Sequence, residues 1–298
     1  MSPAIILEQL FNGIQFGMLL FLMAVGVTLV FGVMRLINLA HGAMFMMAGY
    51  LSAAAYRATG SFLASVAAAL VGVMAIAALL EVSVIRPLYR RDRLDQLLAT
   101  FGVTIFLNEL VILIWGREPV FMQVPSFLSG QIELYPGLHY PAYRIAITTV
   151  AALAGATLYW LLTRTRAGML IRAGADNRSM VAELGVNIAA LYTFVFALGA
   201  VLAGLAGVMI GPLVSMQSGM GDPVLILTLT IITIGGVGSI RGALIASILV
   251  GILDTFGRLV MPQLFGAAGN ALANMLVYMV MAAVLVWMPA GLLSSARG

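Results

Sequence analysis

Ionisable and hydrogen-bonding side chains are scarce here, and their positions bound the chemistry this sequence can do. Glu109 stands beside Asn108 in an otherwise apolar stretch with no basic residue one turn away. A carboxylate so placed has to face protein or water, and an ionisable group inside a span is a functional candidate by default. Asn12, Gln15, Asn38, His41, Asn108, Glu109, Thr228, Thr230 and Thr233 could together line a polar path. Each of them singly can also serve as a hydrogen bond between helices. Asp254 and Arg258 have the one-turn spacing of a structural ion pair. Glu81 falls close to an arginine-rich segment and reads as interfacial. The two histidines, His41 and His139, fall in segments assigned below to opposite sides, so no metal site is expected. No Ser/His/Asp constellation, paired carboxylates or metal-ligand spacing is visible, and no catalytic residue is assigned. Cysteine is absent, which removes disulfides, thiolate metal sites and a cysteine nucleophile. All 15 basic residues are arginine. Without lysine there is no Walker A motif, so if ATP is used another chain must bind it.

The elements that must hold these residues are membrane helices. Of 298 residues, 62% are hydrophobic and 9% charged, against roughly 25% charged in a soluble domain. Candidate spans run over 7–33, 40–58, 61–85, 96–115, 143–163, 189–211, 223–238, 241–260 and 270–290. The seventh is short and runs into "GGVGSIRG", a broken end or a re-entrant segment, so eight or nine spans are expected. The reading is an all-α membrane protein, a polytopic bundle of 8–9 transmembrane helices forming one transmembrane domain over 1–298. The net charge of +4 gives no basic surface for a nucleic acid.

Arginine asymmetry orients the bundle. Placing the loops at 34–40, 86–95, 164–188 and 239–242 and the C-terminal tail inside gathers Arg35, Arg86, Arg90, Arg91, Arg93, Arg164, Arg166, Arg172, Arg178, Arg241 and Arg297. Arg57, Arg117, Arg144 and Arg258 remain outside. The N-terminus is then outside and the C-terminus inside for nine spans. Residues 116–142, with four prolines and "YPGLHYPAY", read as a structured outer cap.

The inner loop 164–188 concentrates charge in "RTRAGMLIRAGADNRSMVAELGVN". Met169, Leu170, Ala173, Met180, Val181 and Leu184 give each half of it an apolar stripe, and "GADN" can hinge and cap, with Asp176 or Asn177 accepting from the following turn. The expected element is a short cytoplasmic helix. It is either an interfacial connector held at headgroups by its arginines or a docking helix whose small apolar face enters a partner.

"RAGADNRSMVAELGVN" resembles the coupling segment of permease subunits of ATP-binding-cassette importers, specifically the branched-chain amino acid permease family, through Arg172, Ala173, Ala175, Ala182, Leu184 and Gly185. "GVTLVFGVMRLINLAHGAMFMMAGY" resembles that family's N-terminal signature, and "GDPVLILTLTIITIGGVGSIRGALIASILVGILD" its C-terminal one. The resemblance implies a multi-pass permease of the bacterial inner membrane that imports branched-chain amino acids by alternating access. It also implies two ATPase subunits, a second related permease and an extracytoplasmic substrate-binding protein. ATPase coupling would then fall to Arg172, Ala173, Ala175, Asp176, Met180, Ala182, Glu183, Leu184 and Gly185. A permease for urea or short amides, or a self-sufficient secondary transporter working through Glu109, are the alternatives.

Small residues support close packing. Ala203, Gly207 and Gly211 lie four apart, as do Gly238 and Gly242. The cluster Gly235, Gly236, Gly238 and Gly242 would interrupt a helix, which is tolerated where freed backbone groups are buried in protein or line a wet cavity. It is placed at the inner mouth. "GVMRLINLAHGAMFMMAGYL" and "GVGSIRGALIASILVGIL" share a faint pattern that an internal repeat would produce.

Overall fold

The computed structural model describes residues 3–135 and 137–293, with Arg90 by its backbone alone, so the expectation resting on Arg297 lies outside the described residues. Nine helices coincide with the nine candidate spans: α1 (Pro3–Met34), α2 (His41–Thr59), α3 (Phe62–Leu80), α4 (Arg93–Trp115), α5 (Ala142–Arg164), α8 (Ile188–Ile210), α9 (Gly221–Gly235), α10 (Ile240–Phe265) and α11 (Ala267–Trp287). Seven of these, all but α2 and α9, are long and apolar enough to cross a membrane by length and composition. At 15 residues α9 extends about 22 Å, short of a bilayer core of about 30 Å. α3 continues into a π-helical turn, Glu81–Ile85, and a 3-10 turn, Arg86–Arg90. The inner loop forms two helices, α6 (Arg166–Asp176) and α7 (Arg178–Glu183), which corrects the expectation of one.

The chain divides into two compact units. One comprises 25–123 and 153–225, and its core is built on α2, packed against α3 and α8. Every residue of α2 from His41 to Tyr50 is buried. Small residues make this possible: a Cβ built at Gly207 would lie 2.0 Å from the carbonyl oxygen of Phe45, and one at Gly221 would lie 2.0 Å from that of Gly42. The backbones touch, so dispersion and backbone contact replace the hydrophobic drive that lipid cannot supply. In the same unit Val120 and Met216 exchange backbone hydrogen bonds of 2.9 Å, and the Tyr50 hydroxyl donates to the Met216 carbonyl at 3.2 Å.

The other unit comprises 1–24, 124–152 and 226–298. The start of α1 packs on α10 through Gly13, Gly17 and Gly251, and a Cβ at Gly251 would stand 2.4 Å from the Gly13 carbonyl oxygen. α10 packs on α11. Part of the outer loop folds as an antiparallel hairpin, β1 (Gln131–Tyr135) with β2 (Leu138–Pro141), a strand pair the helix-based reading did not anticipate. Tyr140 on this hairpin donates to Asn12 Oδ1 at 3.1 Å. Burial pushes its phenol above the ordinary value, which keeps the donor proton in place.

Candidate functional site

The inner loop is built by capping. α7 has only six residues, too few to hold a helix unaided. The Asn177 side chain accepts from Met180 N–H at 3.1 Å and from the Ser179 hydroxyl at 2.7 Å, so of the two candidates at the hinge Asn177 is the cap. Gly185, in the left-handed region at φ 83°, ends the helix while Val186 N–H reaches back to the Val181 carbonyl at 3.3 Å. Thr165 and Asn187 cap α6 and α8 in the same way. Replacing Asn177 by alanine is expected to cost roughly 1 kcal/mol locally and to fray α7. Faster amide exchange over residues 178–185, with the melting temperature nearly unchanged, is the readout.

Which face α6 buries differs from the stripe read off the sequence. Gly168, Ile171, Gly174 and, on α7, Val181 are buried. A Cβ at Gly168 would collide with the Leu161 carbonyl oxygen at 2.2 Å, so the α5–α6 bend needs glycine there. Met169, Met180 and Leu184, assigned to the apolar stripe, are instead 55%, 59% and 75% exposed. Arg172, Asp176, Ala182, Glu183 and Gly185 are exposed beside them, and Ala173 and Ala175 are half-buried. The loop thus presents a mixed apolar and charged surface that its own unit does not cover.

Beside it lies a polar cluster absent from the sequence reading. Glu81, read from the sequence as interfacial, is fully buried within the protein. Its carboxylate accepts from Arg86 at 2.9 and 3.3 Å, from the Thr193 hydroxyl at 2.6 Å and from the Tyr89 hydroxyl. Tyr89 in turn meets Tyr192 edge to face at 5.2 Å. The cluster ties the end of α3 to the start of α8, and Tyr89 and Tyr192 line the same cleft as the α6–α7 hinge. Glu81 and Arg86 are five apart, a spacing that points to different faces of an α-helix. The π-turn over Glu81–Ile85, with its i→i+5 bonding, brings them together. A lone glutamate in a long apolar run was the available signal.

The nine polar-path candidates fall in both units. Asn12, Gln15, Thr228, Thr230 and Thr233 belong to one, and Asn38, His41, Asn108 and Glu109 to the other. Asn12 accepts from Tyr140 and from Arg144. Gln15 is buried. Thr228 is also buried, and Thr230 and Thr233 turn their hydroxyls back onto the carbonyls of Ile226 and Leu229, four residues earlier. Asn38 accepts from Ala40 N–H at 3.0 Å at the entry to α2. His41 is buried, and a Cβ at Gly26 would come within 2.9 Å of its Nε2. Asn108 donates to Asp222 at 3.4 Å, and Ser218 donates to the Asn108 carbonyl at 2.9 Å. Asp222 was not among the candidates. Glu109 is exposed on α4, flanked by Phe106 and Leu113. Asp254 and Arg258 form the expected pair, bidentate at 2.8 and 2.9 Å.

The glycine cluster makes a tight α9–α10 link. Gly236 and Gly238 adopt φ of 97° and 84°. The carbonyls freed at the end of α9, on Ile234 and Gly235, accept from Leu292 and Leu293 N–H at 2.8 and 3.2 Å. Gly242 packs against Gly235, where a Cβ on Gly242 would sit 1.9 Å from the Gly235 oxygen. Of the two tolerated arrangements, the freed carbonyls take backbone partners.

Residues 9–286 match the model of the branched-chain amino acid transport system permease component family. The high-affinity branched-chain amino acid transport system permease protein BraD of Pseudomonas aeruginosa is 29% identical over 96% of this chain and 95% of its own. The corresponding protein LivH of Escherichia coli is 33% identical over 83% of this chain and 84% of its own. The ribose import permease protein RbsC of Escherichia coli is 26% identical over 83% of this chain and 77% of its own. No solved structure matches.

Proposed function

Because the chain belongs to the family of branched-chain amino acid transport system permease components, we propose that it is the membrane subunit of an ATP-binding-cassette importer carrying branched-chain amino acids into the cytoplasm. The protein sits in the bacterial inner membrane. It works with two ATPase subunits, which hold ATP and magnesium, a second related permease and an extracytoplasmic binding protein that delivers substrate.

The carrying observation is the uncovered surface of α6 and α7, where Met169, Met180 and Leu184 stand exposed among Arg172, Asp176 and Glu183. An apolar anchor ringed by charge is what helix-in-groove recognition uses: the anchors enter a partner and the charges set register. Closure of the ATPase pair pushes on α6 and α7, and the Glu81 cluster joins the ends of α3 and α8 close by, so the push reaches the membrane helices. Alternating access follows from tilting those helices.

Changing Arg172 and Glu183 together to alanine leaves insertion intact and lowers both ATPase co-purification and uptake by roughly tenfold or more, the loss of two interface contacts at about 1 kcal/mol each. Uptake of radiolabelled leucine into sealed vesicles carrying the whole assembly is the test, and it is expected to require ATP and the binding protein. Uptake driven by a proton or sodium gradient alone would instead assign transport to a secondary mechanism through Glu109.

A further inference from the structure

Three arginines that the transport reading does not use come from separate segments and converge on one cleft. Arg35 follows α1, Arg93 opens α4, and Arg178 opens α7; all three line a cavity of about 340 Å³. Among the described residues no carboxylate stands within ion-pair distance of any of the three. Asp176, the one acidic residue of the lining, leaves the cleft with an excess of two positive charges. Arg35 is held at φ 54°, the one non-glycine residue among those described with a positive φ. Backbone in that region is unfavourable for a residue with a Cβ and persists where surrounding structure imposes it. Val33 and Met34, at the end of a membrane helix, are among the residues that line it.

We propose that this cleft binds the phosphate group of an anionic ligand, with an inner-leaflet phospholipid such as phosphatidylglycerol as its source. Guanidinium groups match phosphate oxygens in charge and geometry. A basic pocket among helix ends on the cytoplasmic side is where headgroups are held, and Val33 and Met34 offer an apolar wall to the glycerol and first acyl carbons. Because residues 174–178 form the α6–α7 hinge, a bound headgroup would fix the angle between the two helices and make coupling sensitive to lipid charge.

The test uses the chain purified with its partner subunits in mild detergent and stripped of lipid, then offered phosphatidylglycerol, phosphatidylcholine or inorganic phosphate. Retained lipid is counted by native mass spectrometry, and phosphate is read as a shift in melting temperature. The wild-type protein is expected to hold phosphatidylglycerol at least roughly tenfold more tightly than the R35Q/R93Q/R178Q variant, with little retention of phosphatidylcholine. A variant changed at two exposed arginines outside the cleft, R164Q/R166Q, is expected to bind as the wild type does. If the triple variant fails to fold, R93Q alone carries the comparison. Stabilisation of the wild type but not the variant by phosphate, without lipid retention, keeps the site and makes its source a free anion. Equal retention by all variants overturns the proposal, as does equal loss in R164Q/R166Q. Loss of the ATPase from the triple variant with lipid still bound also overturns it, by assigning the arginines to protein docking. None of these readouts involves transport, so their failure is separate from failure of the importer reading.

Discussion

Gly207→Val is expected to eliminate recoverable folded protein, while Gly102→Ala leaves yield and melting temperature unchanged or slightly raised. Gly207 lies on α8 where that helix meets α2, and the three atoms nearest its added Cβ are all backbone: Phe45 O at 2.0 Å, C at 2.8 Å and Cα at 3.2 Å. A flexible side chain could swing away, but a helix backbone cannot, so the two helices must separate along their shared length. Overpacking of ordinary cores costs about 1–3 kcal/mol. Here the displaced partner is the buried helix at the centre of its unit, and a valine places a second branch at the clash. Gly102, in α4, has nothing within 4 Å of an added Cβ. Alanine there gains up to about 1 kcal/mol of helix propensity. Size-exclusion profiles in detergent of the two variants side by side decide the matter. A monodisperse Gly207→Val protein with wild-type melting would show that α2 and α8 do not meet as described.

The second large effect is at Glu81. Replacing it by alanine removes the shared acceptor of Arg86, Tyr89 and Thr193. Arg86 is 37% exposed and can turn to water. The Thr193 hydroxyl keeps the Ala189 carbonyl at 2.9 Å as an acceptor, whereas the half-buried Tyr89 hydroxyl loses the carboxylate it donates to, and a donor left unpaired away from water costs about 1–3 kcal/mol. With a melting shift of roughly 2–4 °C per kcal/mol for a chain of this order of size, the E81A variant is expected to melt several degrees lower. Glu81→Gln keeps one acceptor oxygen and the volume, and should fall between. If the cluster also transmits motion from α6 and α7, ATP-driven uptake drops further than stability alone accounts for, which uptake at a temperature well below both melting points would reveal. Equal melting of E81A and wild type would count against a closed cluster around that carboxylate.

Much of this protein was legible in its residues. Nine apolar stretches became nine helices, and for seven of them length and hydropathy dictate a membrane helix almost regardless of neighbours. The Asp254–Arg258 pair and the Asn177 cap were readable for the same reason: both are interactions within a turn or two of one backbone. The packing role of Gly207 followed from its spacing with Ala203.

What escaped depended on contacts distant in sequence or on backbone that departs from regular period. The Glu81 cluster needs a π-turn and a threonine 112 residues away. The Asn108–Asp222 contact spans 114 residues, and the arginine cleft draws on three segments. Periodicity misjudged α6 because glycines, which carry no hydropathy signal, form its buried face together with Ile171. The sequence by itself determined which segments enter the membrane, where they stop and which short helix is capped, since transfer free energy and local hydrogen bonds belong to the chain alone. Only the tertiary structure decided which polar groups meet, which methionines stay uncovered and where charge remains unpaired, because those depend on how closely one backbone can approach another.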